Sequence, residues 1–244
     1  MSDQPLTGRS ALVTGGARRV GRAIALALAG AGADVAITFR NSQAEAAETA
    51  REVEGCSHHA LAVECDVRSE DSVRAAVAAT VGHFGGLDIV VNNAAVFQSA
   101  PLELLTVEQW DAVFETNARG PFLVAREALP HLRAVEGCIV NIGSLGGIRA
   151  WATHAHYCAS KAALHMLTQT MAKAFAPEVS VNCVAPGWIE LDGSDARQAV
   201  HFALKTPMQR NGSVDDIAQA VLFFAAGPHF ITGQIMTVDG GLGL

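Results

Sequence analysis

The stretch Ala11-Leu12-Val13-Thr14-Gly15-Gly16-Ala17-Arg18-Arg19-Val20-Gly21 decides the fold. Ala11–Thr14 is apolar and β-branched and reads as a short buried strand. The glycines after it mark a tight turn, and the alanine-rich Val20–Ala31 beyond them has helical spacing. A strand that runs through glycines into a helix lets backbone N–H groups and the helix N-terminus approach a phosphate.

The alternation continues outward from this stretch. Strands are predicted at Ala11–Thr14, Asp34–Phe39, Ala60–Glu64, Leu87–Val91, Cys138–Ile142, Val179–Val184 and Gln234–Val238. Helices are predicted at Val20–Ala31, Gln43–Glu54, Ser69–His83, Val107–Leu132, His156–Phe175 and Val214–Ala225. Ser69 with Ser72, and Ser213 ahead of Asp215 and Asp216, supply start signals for two of them. The rhythm implies an α/β fold, a Rossmann-type doubly wound parallel sheet of seven strands with helices on both faces. No linker or repeat interrupts it, so residues 1–244 read as one domain. Ligands in such folds sit beyond the carboxyl ends of the strands, near the reversal of strand order.

Half of the residues are hydrophobic and 17% are charged, which suits a large buried core. A net charge of −7 argues against a nucleic-acid surface or an anionic membrane as partner. Cys56, Cys65, Cys138, Cys158 and Cys183 form no C-x-x-C pair and read as reduced thiols. The polar start has no apolar signal core, and the least polar stretch, Ala23 to Phe39, is interrupted by Gly30, Gly32 and Asp34. The expectation is a cytoplasmic protein.

The only tyrosine, Tyr157, stands four residues ahead of Lys161, one of three lysines. On a helix these two share a face. A neighbouring ammonium is expected to draw the phenol's pKa down from its usual value near 10, towards the range of a proton-transfer group. His154 and His156 flank the pair and are expected to face solvent or substrate; no third ligand stands at a metal-binding spacing, so no metal site is expected.

The glycine loop resembles the T-G-x-x-x-G-x-G loop of the short-chain dehydrogenase/reductase family, and the resemblance runs nearly the full length of the chain. Asn92-Asn93-Ala94-Ala95 is similar to the family's N-N-A-G segment, and Asn117 to its helix asparagine. Ser144 lies 13 residues before Tyr157. Pro186-Gly187 matches a proline–glycine turn, and Val238-Asp239-Gly240-Gly241 a C-terminal segment. The resemblance implies a catalytic set of Asn117, Ser144, Tyr157 and Lys161. Tyr157 would be the general acid, Lys161 would tune it and hold the nicotinamide ribose, Ser144 would stabilise the substrate oxygen, and Asn117 would hold a relay water. It also implies cofactor contacts at Gly15, Val20, Gly21, Asn93, Ala94, Ala95, Pro186, Gly187 and Ile189, with Asp66-Val67 near the adenine, and a homotetramer paired through Val107–Leu132 and His156–Phe175.

The second strand ends Thr38-Phe39-Arg40-Asn41, without the acid that binds ribose hydroxyls in NAD enzymes. Arg18, Arg19 and Arg40, with Asn41, suit a 2′-phosphate instead, so NADP(H) is the expected cofactor. The substrate is less defined. Arg19 replaces the middle glycine of the loop, as in pteridine reductases, and Phe97 follows the alanines where their aromatic stacks on the pterin. Yet Ser144 stands where those enzymes carry aspartate. A small carbonyl or a pteridine-like ring is expected, with 3-oxoacyl-carrier-protein reductase as the main alternative and a non-catalytic NADP-binding regulator as the second. Residues 188–212 read as an irregular substrate-covering loop, with Trp188 and Trp151 as pocket walls. The threonine usual after the proline–glycine turn is missing.

Overall fold

Each predicted strand carries apolar side chains on both sides, which a sheet satisfies only when helices cover both of its faces. The computed structural model describes residues 4–56 and 59–244, so the first three residues of the polar start lie outside it. The strands are β1 (Ser10–Val13), β2 (Asp34–Phe39), β3 (Ala60–Glu64), β4 (Ile89–Asn92), β5 (Cys138–Ile142), β6 (Ser180–Pro186) and β7 (Ile235–Val238). They form one parallel sheet in the order β3-β2-β1-β4-β5-β6-β7. The order reverses between β1 and β4, where such a sheet opens a crevice at its carboxyl edge.

The helices are α1 (Arg19–Gly30), α2 (Gln43–Gly55), α3 (Glu70–Phe84), α4 (Val107–Phe114), α5 (Gly120–Ala134), α6 (Ala155–Phe175), α7 (Ala196–Lys205) and α8 (Val214–Ala226). Alternate residues of β1 enter different cores. Ala11 and Val13 pack with Ile24 and Leu28 of α1 and Ile217 and Val221 of α8. Leu12 points the other way, to Val73 and Val77 of α3 and Leu132 of α5. The two helix starts expected at Ser69 and Ser213 are fixed by side chains, Ser69 accepting from the Ser72 N–H at 3.3 Å and Ser213 forming a reciprocal capping box with Asp216. Arg210 grips the Asp216 carboxylate at 2.7 and 2.8 Å and holds its pKa well below the usual carboxylate range.

Two expectations need correction. The helix predicted over Val107–Leu132 is not uniform, because a π-helical turn at Glu115–Arg119 divides α4 from α5. Pro121 has no N–H, so the Asn117 carbonyl lacks its α-helical donor, and Gly120 instead donates five residues back to Glu115. The segment read as irregular after Trp188 contains α7, whose first turn donates to Asp195 Oδ1 from the Arg197 and Gln198 N–H groups at 2.8 and 3.0 Å.

Leu28 is fully buried in the core between α1 and the sheet. Leu28→Ala is expected to lower unfolding stability by about 2–5 kcal/mol in urea titration. A loss under about 1 kcal/mol would mean that α1 does not pack on this face.

Candidate active site

The crevice at the strand reversal is a cleft of about 370 Å³. It is lined by Gly15, Arg18, Arg19, Val20, Gly21, Arg40, Asn41, Asp66, Val67, Asn93, Ala94 and Ala95. Its floor demands glycine. A Cβ on Gly21 would stand 2.3 Å from the Gly15 carbonyl oxygen, and one on Gly15 would stand 3.0 Å from Ala94 Cα. Asn93 seals this seam, its Nδ2 donating to the carbonyls of Thr14 and Gly15 at 2.9 and 3.0 Å. Arg19 takes a left-handed φ of 53°, which explains why glycine is the easier residue there.

Arg18, Arg19 and Arg40 have no carboxylate partner among the described residues, whereas Asp66 is closed off by Arg68 at 2.6 Å. Arg68 holds the Asp66 carboxyl below its ordinary range. Asp66 does not cap α3, whose N-cap is Ser69; it closes the preceding turn by accepting the Arg68 N–H at 3.0 Å. An acid is thus present at the end of β3, neutralised, and the free positive charge of the cleft lies at its β1 and β2 ends.

The second group of polar residues gathers beyond β5. Ser144 follows that strand, 4% exposed, and its hydroxyl oxygen accepts the Gly146 N–H at 3.0 Å. Tyr157 lies in the first turn of α6 and Lys161 one turn later. Burial raises the Tyr157 phenol above its ordinary value, while a hydrogen bond with Ser144 acts the other way. This reverses the expected downward shift. The Lys161 ammonium donates to the Ile142 carbonyl at 2.7 Å, stands 5.9 Å from the Tyr157 ring centre, and is itself pushed down to about 8 by burial. Asn117 is fully buried, and its amide spans Val96 and α6: Oδ1 accepts the Val96 N–H at 2.8 Å, and Nδ2 donates to Val96 O at 2.9 Å and Ser160 Oγ at 3.1 Å.

The family model described as "Enoyl-(Acyl carrier protein) reductase" matches residues 15–243. The 3-oxoacyl-[acyl-carrier-protein] reductase FabG of Staphylococcus aureus is 36% identical, covering 96% of this chain and 98% of its own. A dehydrogenase/reductase structure from Sinorhizobium meliloti superposes with a TM-score of 0.94 at 38% identity, covering 99% of this chain and 97% of that one. A blue fluorescent protein from a metagenomic library, solved with NADPH, gives 0.92 at 34% identity, covering 98% and 99%. The chain belongs to the short-chain dehydrogenase/reductase family. It is an NAD(P)-dependent oxidoreductase.

Set beside the family's pattern, several residues lie away from the cleft wall. Tyr157, Lys161, Pro186, Gly187 and Ile189 do not line it. Gly187 donates to Val238 O at 3.0 Å, and Ile189 bridges to Gly212, while Leu191 reaches the cleft instead. Thr38, near the end of β2, and Thr116, inside the π turn, also line it; a hydroxyl at the end of a strand is a readable signal, whereas Thr116 within a predicted helix and Leu191 carry none.

Aromatic rings crowd Tyr157. Phe97, 61% exposed, meets it edge-on at 4.8 Å and stacks on His154 at 4.8 Å, and Trp151 lies parallel to it at 6.1 Å. Trp188 stacks on Phe202 of α7 at 5.3 Å. His154 is therefore at the mouth, but His156 is fully buried, contrary to expectation, and both its ring nitrogens lack a hydrogen-bond partner among the described residues. Among the described residues no His/Cys/Asp/Glu group could hold a metal, and no helix is long and apolar enough to cross a membrane.

Lys161 is charged below a pKa of about 8 and neutral above it. If its cation is needed, kcat/KM for the nicotinamide cofactor, which reports groups of the free enzyme, stays level at lower pH and falls as pH rises through about 8. A profile level to pH 10 would remove the ammonium from that role.

Proposed function

We propose that this protein is an NADPH-dependent reductase of ketone carbonyls, with a 3-oxoacyl thioester as its substrate. The observation that carries the reading is the convergence of Ser144, Tyr157 and Lys161 beyond β5, at the opposite side of the strand reversal from three arginines that have no carboxylate partner among the described residues. The floor at Gly15 and Gly21, where a Cβ on Gly21 would meet the Gly15 carbonyl oxygen, suits the close approach of a pyrophosphate. Arg18, Arg19 and Arg40 would hold the 2′-phosphate, and Asn93, Ala94 and Ala95 would flank the ribose side. The bound cofactor supplies hydride.

The chain's own part is position and proton. Ser144 donates its hydroxyl hydrogen to the substrate carbonyl oxygen, where negative charge develops. Tyr157, kept protonated by burial, gives its phenolic proton to that oxygen. Lys161 stabilises the resulting phenolate, and the Asn117 main-chain carbonyl, left without an α-helical donor by Pro121, is available to a water that returns the proton. The segment 188–212, stiffened by α7 and the Trp188–Phe202 stack, would cover the substrate. A non-catalytic regulator would gain nothing from a buried lysine directed at the end of β5.

The thioester assignment draws on the full-length similarity to the reductase of Staphylococcus aureus and on serine, not aspartate, at position 144. A second reading, a pteridine-like ring, is favoured by the exposed Phe97 face beside Tyr157. We also read the enzyme as cytoplasmic and homotetrameric, with the exposed Phe122 of α5 and Met166 of α6 on the pairing surface.

NADPH oxidation is to be followed with acetoacetyl thioesters, small ketones, dihydropterins and quinonoid pterins. Turnover of thioesters, lost in Tyr157→Phe while NADPH still binds, is the expected result. Turnover confined to pterins would transfer the assignment to the second reading. Arg40→Ala is expected to raise KM for NADPH about tenfold or more, roughly 1.4 kcal/mol, and to leave NADH within about twofold. Equal losses with both cofactors would rule out the phosphate contact.

A further inference from the structure

His165 belongs to none of the roles above, yet it sits under the catalytic serine. It lies one helical turn beyond Lys161 on α6 and is only 5% exposed. Its ring is wedged against the backbone on either side of Ser144. A Cβ on Gly143 would stand 2.3 Å from the His165 Nε2, and one on Gly147 would stand 2.6 Å from Cε1. Those two glycines are what admit an imidazole here. Between them the Ser144 N–H points at Nε2, 3.4 Å away, and has no other acceptor among the described residues. The rest of the turn is closed by Gly146 N–H to Ser144 Oγ and Gly147 N–H to Ser144 O, both at 3.0 Å.

We propose that His165 is a positioning residue for Ser144, its neutral ring accepting the serine's backbone N–H through Nε2 and so fixing the direction of the Ser144 hydroxyl towards Tyr157. An acceptor Nε2 requires that the ring proton sit on Nδ1 and that the ring stay uncharged. The ionisable groups packed around it favour this state. Lys161 lies on the same helix, and Cys183 of β6 stands at Gly143, with its Sγ 2.6 Å from where a Cβ there would be. Burial, and then the Lys161 ammonium, push His165 down to about 4, and burial pushes the Cys183 thiol up to about 12, so no anion nearby recruits a second proton. Lys161 is thereby left as the charged neighbour of a neutral ring. The role rests on the reductase reading only for its kinetic consequence.

Two measurements test it. In chain labelled with 15N-histidine, the His165 ring is expected to remain neutral from pH 8 to pH 5 with Nε2 as the bare nitrogen. Titration near the free-histidine value of about 6.5, or a proton on Nε2, overturns the proposal. This arm needs no substrate, so it still decides when the wild-type enzyme reduces nothing in the panel, an outcome that would instead defeat the reductase reading. In the kinetic arm, His165→Leu keeps bulk and removes the acceptor, and is expected to cut kcat about 10- to 100-fold with NADPH affinity within about twofold. His165→Gln, which restores an acceptor atom, is expected to recover to within about threefold of wild type, and His165→Leu added to Ser144→Ala is expected to cost no more than about twofold further. Unchanged kcat in the leucine variant, a glutamine variant no better than leucine, or the full loss repeated without Ser144 each overturns it. Melting temperatures are read first, and if the leucine variant does not fold, the glutamine variant and the ring titration carry the decision.

Discussion

The active site depends on one buried ammonium. Lys161 is 3% exposed and donates to a single protein acceptor among the described residues, the Ile142 carbonyl at the end of β5. Taking an ammonium out of water costs several kcal/mol when it is not fully paired, and the lowered pKa of Lys161 is the visible form of that cost. A helix that carries such a group has to be held at a fixed height against the sheet. The surrounding polar contacts do this.

On the sheet side, Asn92 of β4 donates to Asn141 of β5 at 2.8 Å, and Asn141 donates to Thr168 of α6 at 2.9 Å. On the opposite side, Asn117 in the π turn reaches Ser160, whose hydroxyl donates to the Tyr157 carbonyl at 2.8 Å. Buried side chains that bond to each other define a register that apolar packing alone leaves looser. The same Asn117 pins Val96, and Val96 precedes Phe97, so the aromatic mouth and the catalytic helix are set by one amide. Fold and chemistry are coupled there through a residue whose side-chain partners, Val96 and Ser160, no sequence pattern announces.

How far the chain could be read depended on whether a signal was local. The strand–glycine–helix turn, the arginines at the ends of β1 and β2 and the Tyr157/Lys161 spacing are local patterns, and their positions in the fold follow from them. The direction of the Tyr157 shift did not follow, because spacing gives proximity but not where the ammonium points, and here it points to Ile142 while burial governs the phenol. Pro121 is a local mark of the break between α4 and α5, and Asp195 of the start of α7, but each sits inside a longer pattern, an apolar helical run and a stretch without regular spacing, that points elsewhere. His156 and His165 differ in the structure for reasons no spacing holds: one is buried with both nitrogens unpaired, the other has glycine on both sides of its acceptor.

The two ends of the site make opposite physical demands, and this explains how the fold separates reaction from specificity. The arginine end faces water, where charge can be solvated until a phosphate takes it up. The tyrosine end is less exposed, with Ser144 buried and Tyr157 half-buried, and in the proposed reaction a phenol that stays protonated and a serine that meets a developing oxyanion both act more strongly away from bulk water. Neither demand selects the body of the substrate. In the proposed reaction that selection would fall to Phe97, Trp151 and His154, rings that touch Tyr157 or one another. On the proposed reading, changes in those rings would redirect the enzyme between flat and flexible carbonyl compounds while Ser144, Tyr157 and Lys161 stay as they are.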